Sequence, residues 1–272
     1  SIKLLLDHGS HTEGRDINGK TPLILGCELG DFQAAKLLLD YGAKIECKDR
    51  LRQTPLLAAV FRFGGALSVP GINASASPGA VIVRTAEERM ALIHLLLARR
   101  ANPNVSLWNG SVPLEIAAGM DPHYSLAMMK LLTSFGAHFG DRCGSEGSAL
   151  ATACGAGSLA VAKYLLHRGA DPNARGWPIP QTALCAAAAG GRDAIVSLLL
   201  SRGASLSLTD TPGGSSALMD AVGAGRLSTA RLLLKLGANV NYRTQNGETP
   251  LSAARDPGIC AVLLSAGAKP AR

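Results

Sequence analysis

Glycine, histidine and cysteine are the residues of this 272-residue chain whose spacing could support chemistry. Residues 155–160 read GAGSLA, the G-x-G-x-x-A pattern that holds a pyrophosphate at a helix N-terminus when a β-strand precedes it. Here an Ala-rich segment with a helical pattern precedes it, and GAGRLS at 223–228 occupies a similar setting. We interpret both segments as Gly-containing turns between paired helices, which predicts no nucleotide site.

The histidines do not form a recognisable catalytic or metal-binding pattern. No H-E-x-x-H occurs, and both His94 and His167 lie in Leu-rich segments with helical periodicity. A general base needs a nucleophile or second titratable group at a matching position, and none is spaced that way. The sequence therefore predicts no catalytic residue and no cofactor, and the chain is not expected to be an enzyme.

The cysteines favour a structural role. They are Cys27, Cys47, Cys143, Cys154, Cys185 and Cys260. None forms a C-x-x-C pair, and three lie in the Ala-rich contexts LGC, ATAC and LCAAAA, where a thiol behaves as a small buried hydrophobe. We predict no metal site and no disulfide framework. The expectation is an intracellular protein, cytoplasmic or nuclear, in a reducing compartment.

Charge and hydropathy argue against nucleic-acid binding and against a membrane-spanning segment. The net charge is +7, but no block of five or six basic residues occurs, which argues against nucleic acid. No apolar run reaches the ~18 residues of a membrane span. The charge balance favours solubility more than nucleic-acid binding.

Two sequence markers repeat with a common period. The first closes Leu-rich runs, at 9–10, 42–43, 100–101, 136–137, 169–170, 203–204, 237–238 and 267–268, usually as Gly-Ala. The second marker, T-P-L or a variant of it, lies ahead of each later Leu-rich run and begins at residues 21, 54, 112, 148, 182, 216 and 249. Both recur at about 33 residues, and both show one longer step at the same place, which predicts a stack of helix pairs.

The segments NGKTPLILGCELGDFQAAKLLLDYGAKIECKD and NGETPLSAARDPGICAVLLSAGAKP resemble the ankyrin repeat. The resemblance implies an all-α, ankyrin-type α-solenoid of helix-turn-helix repeats with short β-hairpin-like fingers, spanning residues 1–272. The expected units are a partial leading repeat at 1–15 and repeats at 16–48, 49–106, 107–142, 143–175, 176–209, 210–243 and 244–272. Thr should cap each first helix, and Gly should end each second helix at positive φ.

Departures from the family pattern concern one position and the two ends. The family commonly writes T-P-L-H, and the fourth position here is Ile24, Leu57, Glu115, Ala151, Cys185, Met219 or Ser252. The polar network attributed to that histidine is therefore not expected. Because the chain starts inside a second helix and lacks a polar terminal repeat, we expect neighbouring segments to complete the array.

The longer step places an insertion at about 64–86, between the two helices of the second full repeat. Its Gly, Ala, Ser, Pro and Val composition is typical of a loop that leaves the stack unchanged. Two interpretations remain open. The insertion could dock its Val and Ile residues on a partner or on the repeat edge, or it could be an addition without a role.

The resemblance implies that fingers and first helices form a concave binding face. Finger segments contain Trp108, Trp177, Phe139, Tyr242, Arg50, Arg52, Arg142, Arg175 and Arg243. First-helix positions facing the groove include Phe61, Arg62 and Met120, whereas three later repeats offer only Gly and Ala there. Trp, Tyr and Arg dominate interface energies, so these residues are the predicted partner-binding set. Because Arg pairs with carboxylates, this face implies a protein or peptide partner, either acidic or containing proline. The alternative is that the rings pack on neighbouring fingers and the charges only solvate the rim.

The predicted function is a non-catalytic protein–protein interaction module, a scaffold or adaptor that binds through finger tips and the concave first-helix face. The alternative is a targeting or regulatory ankyrin domain within a larger enzyme or signalling protein.

Overall fold

The computed structural model describes residues 2–63, 85–138, 145–176, 180–211 and 213–270. Fifteen α-helices and no β-strands occur within these ranges, and two isolated antiparallel bridges, Arg175 with Thr182 and Thr209 with Ser216, mark hairpin-like fingers. The chain forms two compact units. Unit 1 comprises residues 1–120 and 127–139, and unit 2 comprises 121–126 and 140–272.

The helices come in consecutive pairs. Those that begin before residue 140 are α1 (Ile2–Asp7), α2 (Pro22–Glu28), α3 (Phe32–Asp40), α4 (Pro55–Phe63), α5 (Ala86–Ala98), α6 (Pro113–Ala118) and α7 (Pro122–Ser134). The others are α8 (Ser145–Ala156), α9 (Leu159–His167), α10 (Ala183–Gly190), α11 (Asp193–Ser201), α12 (Ala217–Gly223), α13 (Leu227–Lys235), α14 (Pro250–Ala253) and α15 (Pro257–Ser265). Across the described residues, no helix combines the length and apolar character needed to cross a membrane.

Hydroxyl side chains begin most of the first helices, as the sequence predicts. Thr21 accepts a hydrogen bond from the backbone N–H of Ile24, Thr182 accepts one from Cys185, and Ser216 serves α12 in the same way. Each bond satisfies one of the backbone donors that have no partner inside the helix. Two first helices differ from the prediction: Val112 precedes α6 without a side-chain cap bond, and α8 begins at Ser145, three residues before the predicted Ser148.

Glycine at positive φ ends the second helices, and this prediction is also confirmed. Gly42, Gly169 and Gly203 have φ of 83°, 91° and 88°. A Cβ atom at any of these positions would meet no atom within 4 Å, so the backbone conformation, not space, favours glycine there. Arg100 occupies the corresponding position after α5 and adopts φ 67° without being glycine.

Packing between successive pairs buries the leucines and alanines. Within unit 1, first helix α4 packs against α2 and α6, and α3 packs against α5; within unit 2, α10 packs against α8 and α12. All residues of α10 from Ala183 to Ala188 are buried, because this helix has neighbours on both sides and its small side chains allow close approach.

Asparagine side chains join neighbouring repeats at the ends of the second helices. Asn173 Nδ2 donates to the carbonyl of Gly203 at 2.9 Å, and its Oδ1 accepts the N–H of Ser205 at 2.9 Å. Asn104 and Asn241 make the equivalent pairs of bonds. The amide thus satisfies a helix-end carbonyl and a backbone donor at once, which fixes the spacing of successive repeats.

The predicted insertion at about 64–86 lies almost entirely outside the described residues. Description resumes at Thr85, whose side chain accepts from the N–H of Glu88 while the Glu88 carboxylate accepts from the N–H of Thr85. This reciprocal pair begins α5 independently of the preceding segment.

We predict that Arg100→Gly stabilises the chain. A non-Gly residue in the left-handed region costs about 1–2 kcal/mol, and part of that is offset by the greater flexibility of glycine in the unfolded chain. The expected gain is about 0.5–1 kcal/mol in the free energy of unfolding, measured by urea denaturation. Arg168→Gly is the matched control, because Arg168 has φ −81° and should gain nothing. Equal stability changes in both variants would contradict the interpretation.

Candidate partner-binding surface

Three consecutive fingers of unit 1 share one turn geometry. The N–H of the fourth turn residue bonds to the carbonyl of the first in 16–19, 49–52 and 107–110, with N–O distances of 2.9, 3.1 and 3.0 Å. In the first two turns the Asp16 and Asp49 carboxylates also accept backbone N–H groups. The pKa of Asp16 is lowered, chiefly because its carboxylate accepts the N–H of Lys20. These bonds force the two central residues of each turn outward.

The central residues of these turns expose large apolar side chains. Ile17 is 83% exposed, Leu51 is 41% exposed and Trp108 is 53% exposed. We call Ile17, Leu51 and Trp108 the tip row. Trp108 belongs to the predicted binding set, whereas Ile17 and Leu51 do not, although both lie, as Trp108 does, at the centre of a finger turn that precedes a first helix.

One backbone hydrogen bond and two side-chain-to-backbone hydrogen bonds join the fingers of unit 1. The N–H of Arg50 donates to the carbonyl of Asn18 at 3.1 Å, which joins the tips of the first two fingers. Arg15 Nη1 donates to the carbonyl of Lys48 at 2.7 Å. Between the second and third fingers, the Glu46 carboxylate accepts the N–H of Asn102 at 2.7 Å. The tip row is therefore held on a connected backbone.

The second finger adds positive charge beside Leu51 of the tip row. Lys48, Arg50 and Arg52 are all exposed. Neither Arg50 nor Arg52 has a carboxylate ion-pair partner in the described part of the chain. Their side chains are therefore free to pair with an incoming carboxylate.

The first helices of unit 1 add exposed apolar side chains. Leu29, the residue that follows α2, is 68% exposed, and Leu25 within α2 is 37% exposed. Phe61 in α4 is half-buried, and Arg62 lies in the same helix, where its side chain is not described. Met120 is only 2% exposed, because it follows α6 and turns into the core. A residue so buried offers no area to a partner, and we leave Met120 out of the surface.

In unit 2 the predicted finger residues bond mainly to neighbouring fingers. The hydroxyl of Tyr242 donates to the carbonyl of Gly214 at 2.9 Å, and Arg175 Nε donates to the carbonyl of Thr209 at 3.1 Å. Both side chains are half-buried, whereas Arg243 is exposed. Trp177, Phe139 and Arg142 lie outside the described residues. For Tyr242 and Arg175, packing on the next finger accounts for their position.

The glycine motif lies between two helices. Residues 155–160 span the end of α8 and the start of α9, and 223–228 span the α12–α13 turn, as the sequence predicts. Gly157 has φ 85°, and Nε of Arg192 lies 2.7 Å from the place that a Cβ atom would occupy. In both motifs a helix precedes the turn. A pyrophosphate site of this kind needs a β-strand before the turn and a helix after it.

One partly buried cluster brings together residues that the sequence does not connect. The thiol of Cys185 and one carboxylate oxygen each of Asp210 and Asp220 lie within 4.8 Å of one another. Thiolates and carboxylates are zinc ligands, so this is the group among the described residues that could hold a metal ion. Cys185 occupies the position where the family writes histidine, and that substitution was the available sequence signal.

The cluster is electrostatically unfavourable when its acids are ionised. Burial raises the pKa of Asp220 from 3.8 to about 6, and the nearby Asp210 carboxylate adds to the shift. Burial also raises the pKa of Asp210 and of the Cys185 thiol. The Ser215 hydroxyl donates to Asp220 Oδ1 at 2.6 Å, but Asp220 Oδ2 is buried without a hydrogen-bond partner. An ionised Asp220 thus costs stability at neutral pH.

We predict that Asp220→Asn stabilises the chain at pH 7. The pKa of Asp220 is higher in the folded chain than in the unfolded chain. The free energy of unfolding of the wild type therefore rises as the pH falls from about 6 towards 3.8. An amide carries no charge, so the variant should gain about 1–2 kcal/mol in the free energy of unfolding at pH 7 and converge with the wild type near pH 4. Urea denaturation at several pH values measures both effects.

The control for this prediction is Glu248→Gln, which removes an exposed carboxylate of unit 2. It should leave stability nearly unchanged across the same pH range. Parallel pH profiles for the wild type and Asp220→Asn would show that the cluster carries no such charge penalty.

Comparison with known proteins identifies the family. The ankyrin-repeat profiles match residues 1–67 and 184–272 as arrays of three copies, and residues 148–177 as a single repeat. The crystal structure of the human ASB11 ankyrin repeat domain superposes with a TM-score of 0.70 at 22% identity, covering 93% of this chain and 100% of that one.

A second similar structure is the ankyrin repeat domain of Bcl-3, described as a unique member of the IκB protein family. Its TM-score is 0.59 at 25% identity, covering 91% of this chain and 99% of that one. No curated protein matches the sequence. Because the profiles match more than half of the chain and the structures share its helix pairs, the chain belongs to the ankyrin repeat family and has an all-α, ankyrin-type solenoid fold.

Proposed function

We propose that this chain is a non-catalytic scaffold or adaptor that binds a partner protein through its finger tips and the exposed positions of its first helices. Ankyrin repeat domains are in general protein–protein interaction modules. The observation that carries the proposal is the tip row: three consecutive fingers expose large apolar side chains on a backbone that is already hydrogen-bonded. Exposed apolar area of this kind is typical of an interaction site.

The proposed contacts keep most of the predicted set and add to it. Trp108, Arg50, Arg52 and Phe61 lie on unit 1, and Ile17, Leu51, Leu25 and Leu29 join them. Arg62, Arg142, Phe139 and Trp177 remain proposed contacts from the sequence alone, as does the exposed Arg243. The clustering of arginines supports an acidic partner.

The second candidate is a targeting or regulatory domain within a larger enzyme or signalling protein. The same surface would then hold another domain of that protein or recruit its substrate. We also propose a reducing intracellular compartment. Five described cysteines are free thiols, and three of them, Cys27, Cys154 and Cys185, are completely buried, where they pack as apolar side chains.

Affinity capture on the full chain tests the proposal. We expect at least one captured protein whose recovery falls several-fold with Trp108→Ala and with Leu29→Ala, because truncating an interface anchor costs about 1–2 kcal/mol or more. Recovery should also fall between low and high salt if arginines pair with acidic groups. Quantitative mass spectrometry of the captured proteins gives the measurement.

Leu264→Ala is the matched control, since Leu264 is 54% exposed on α15 but lies outside fingers and first helices. It should leave capture unchanged. A chain that captures nothing above the bare matrix, or whose partners are insensitive to both surface variants, would refute the proposed function.

A further inference from the structure

We propose that Cys185, Asp210 and Asp220 bind one zinc ion, which joins two neighbouring repeats of unit 2. The thiolate and one oxygen of each carboxylate are the three protein ligands, and a water molecule completes the tetrahedron. We call these three residues the ligand cluster. The inference goes beyond the proposed function, because it concerns a site in unit 2 and not the partner-binding surface of unit 1.

Three elements of adjacent repeats assemble the ligand cluster. Cys185 lies in the first turn of α10 and Asp220 in the first turn of α12, and these two helices pack against each other. Asp210 lies in the finger that precedes α12, next to the bridge between Thr209 and Ser216. Two of the three ligands are therefore held on packed helices, which position a side chain more precisely than a loop does.

The distances within the ligand cluster suit a single small ion. The Cys185 Sγ atom and one carboxylate oxygen each of Asp210 and Asp220 all lie within 4.8 Å of one another. In a tetrahedral zinc site, with Zn–S about 2.3 Å and Zn–O about 2.0–2.2 Å, neighbouring ligand atoms are about 3.3–3.6 Å apart. The widest pair must therefore approach by about 1.5 Å at most, which rotation of the aspartate side chains can supply.

Hydrogen bonding does not satisfy the ligand cluster. The Ser215 hydroxyl donates to Asp220 Oδ1 at 2.6 Å, and the N–H of Thr182 donates to Asp210 Oδ1 at 3.1 Å. Among the described residues, Asp220 Oδ2 is the carboxylate oxygen that is buried without a hydrogen-bond partner. The Cys185 thiol has one proton and can serve only one carboxylate. A metal ion removes this deficit, and the Ser215 and Thr182 bonds then orient the ligating carboxylates.

Charge balance favours a divalent cation. When its members are ionised, the ligand cluster carries three negative charges, although Cys185 is completely buried and both aspartates are only partly exposed. Burial raises the pKa of the Asp210 carboxyl in spite of the Arg175 guanidinium nearby, so that cation does not neutralise the cluster. Buried charges in proteins are paired or coordinate metals. A zinc ion offsets two of the three charges, and the thiol proton passes to solvent on binding.

The donor atoms select zinc over the hard cations. Calcium and magnesium take oxygen ligands, whereas a thiolate is a soft ligand that suits zinc. Partial exposure of Asp210 and Asp220 gives the ion and its water a path from solvent. No second group of three such side chains occurs in the part of the chain that the structure describes. Cys154 in α8 is as buried as Cys185 but belongs to no such group, so it provides a matched control.

Isothermal titration calorimetry of the full chain with zinc chloride tests the inference, after metal has been removed with EDTA and the chelator dialysed away. We expect one zinc ion per chain with a Kd of about 1 µM or tighter. Magnesium chloride and calcium chloride should not compete. Cobalt(II) chloride should produce a thiolate-to-cobalt charge-transfer band and the visible bands of a tetrahedral site, which report the Cys185 ligand directly.

Variants assign the ligands. Cys185→Ala and Asp220→Asn should each weaken zinc binding about 100-fold or more, and Cys185→Ala should also abolish the thiolate band. Ser215→Ala removes the hydroxyl that holds Asp220 and should weaken zinc binding about tenfold. Cys154→Ala should leave the affinity and the cobalt spectrum unchanged.

Stability measurements separate lost binding from lost folding. Asp220→Asn is expected to be more stable than the wild type without metal, so unfolding would not explain its loss of zinc binding. Zinc should raise the urea midpoint of the wild type and of Cys154→Ala, but not that of Cys185→Ala.

Absence of saturable zinc binding, equal affinities for the wild type and Cys185→Ala, or a cobalt spectrum without the thiolate band would overturn the inference. The ligand cluster would then hold protons in place of a metal ion. The proposed function can survive that result, because its capture test depends on Trp108 and Leu29 of unit 1.

Discussion

Burial of one helix pair against the next is the interaction on which the rest of this structure depends. A single pair has apolar side chains on two faces and cannot cover both, so each repeat is stable only beside its neighbours. In α10 this requirement extends to every residue from Ala183 to Ala188, all of them buried. Polar groups also join neighbouring repeats. The side-chain amides of Asn104, Asn173 and Asn241 each donate to a backbone carbonyl of the next repeat along the chain.

The same constraint explains why we propose binding at the fingers and at the few exposed positions of the first helices. Most helix side chains hold the repeats together, whereas the finger turns satisfy their backbone groups locally, through Asp16, Asp49 and the turn hydrogen bonds. The side chains at the centre of each turn are therefore not needed to stabilise the fold. Ile17 and Trp108 can therefore be large and exposed without harming the fold, and their exposure is consistent with a role in binding.

Much of the fold could be predicted from local sequence because its signals are local. Thr21 and Thr182 begin their helices through bonds to residues three positions away, and Gly169 ends one through its own backbone freedom. What the sequence did not predict depends on contacts between distant residues. Cys185, Asp210 and Asp220 meet only because adjacent repeats stack, and the burial of Met120 depends on packing that no short pattern encodes. The partner-binding residues remain a prediction, and Ile17 and Leu51 were not predicted because an aliphatic residue in a turn carries no signal comparable to that of an aromatic or basic one.

Hydroxyl-radical footprinting of the free, full-length chain tests the central claim most directly, because it reports the solvent exposure of individual side chains. The account predicts rapid labelling of Ile17, Leu51 and Trp108 together with protection of Leu23, Leu56 and Leu92, which lie between stacked helices. Protection of the tip row in the free chain, or labelling of those buried leucines at similar rates, would contradict the stacked arrangement and the binding surface derived from it.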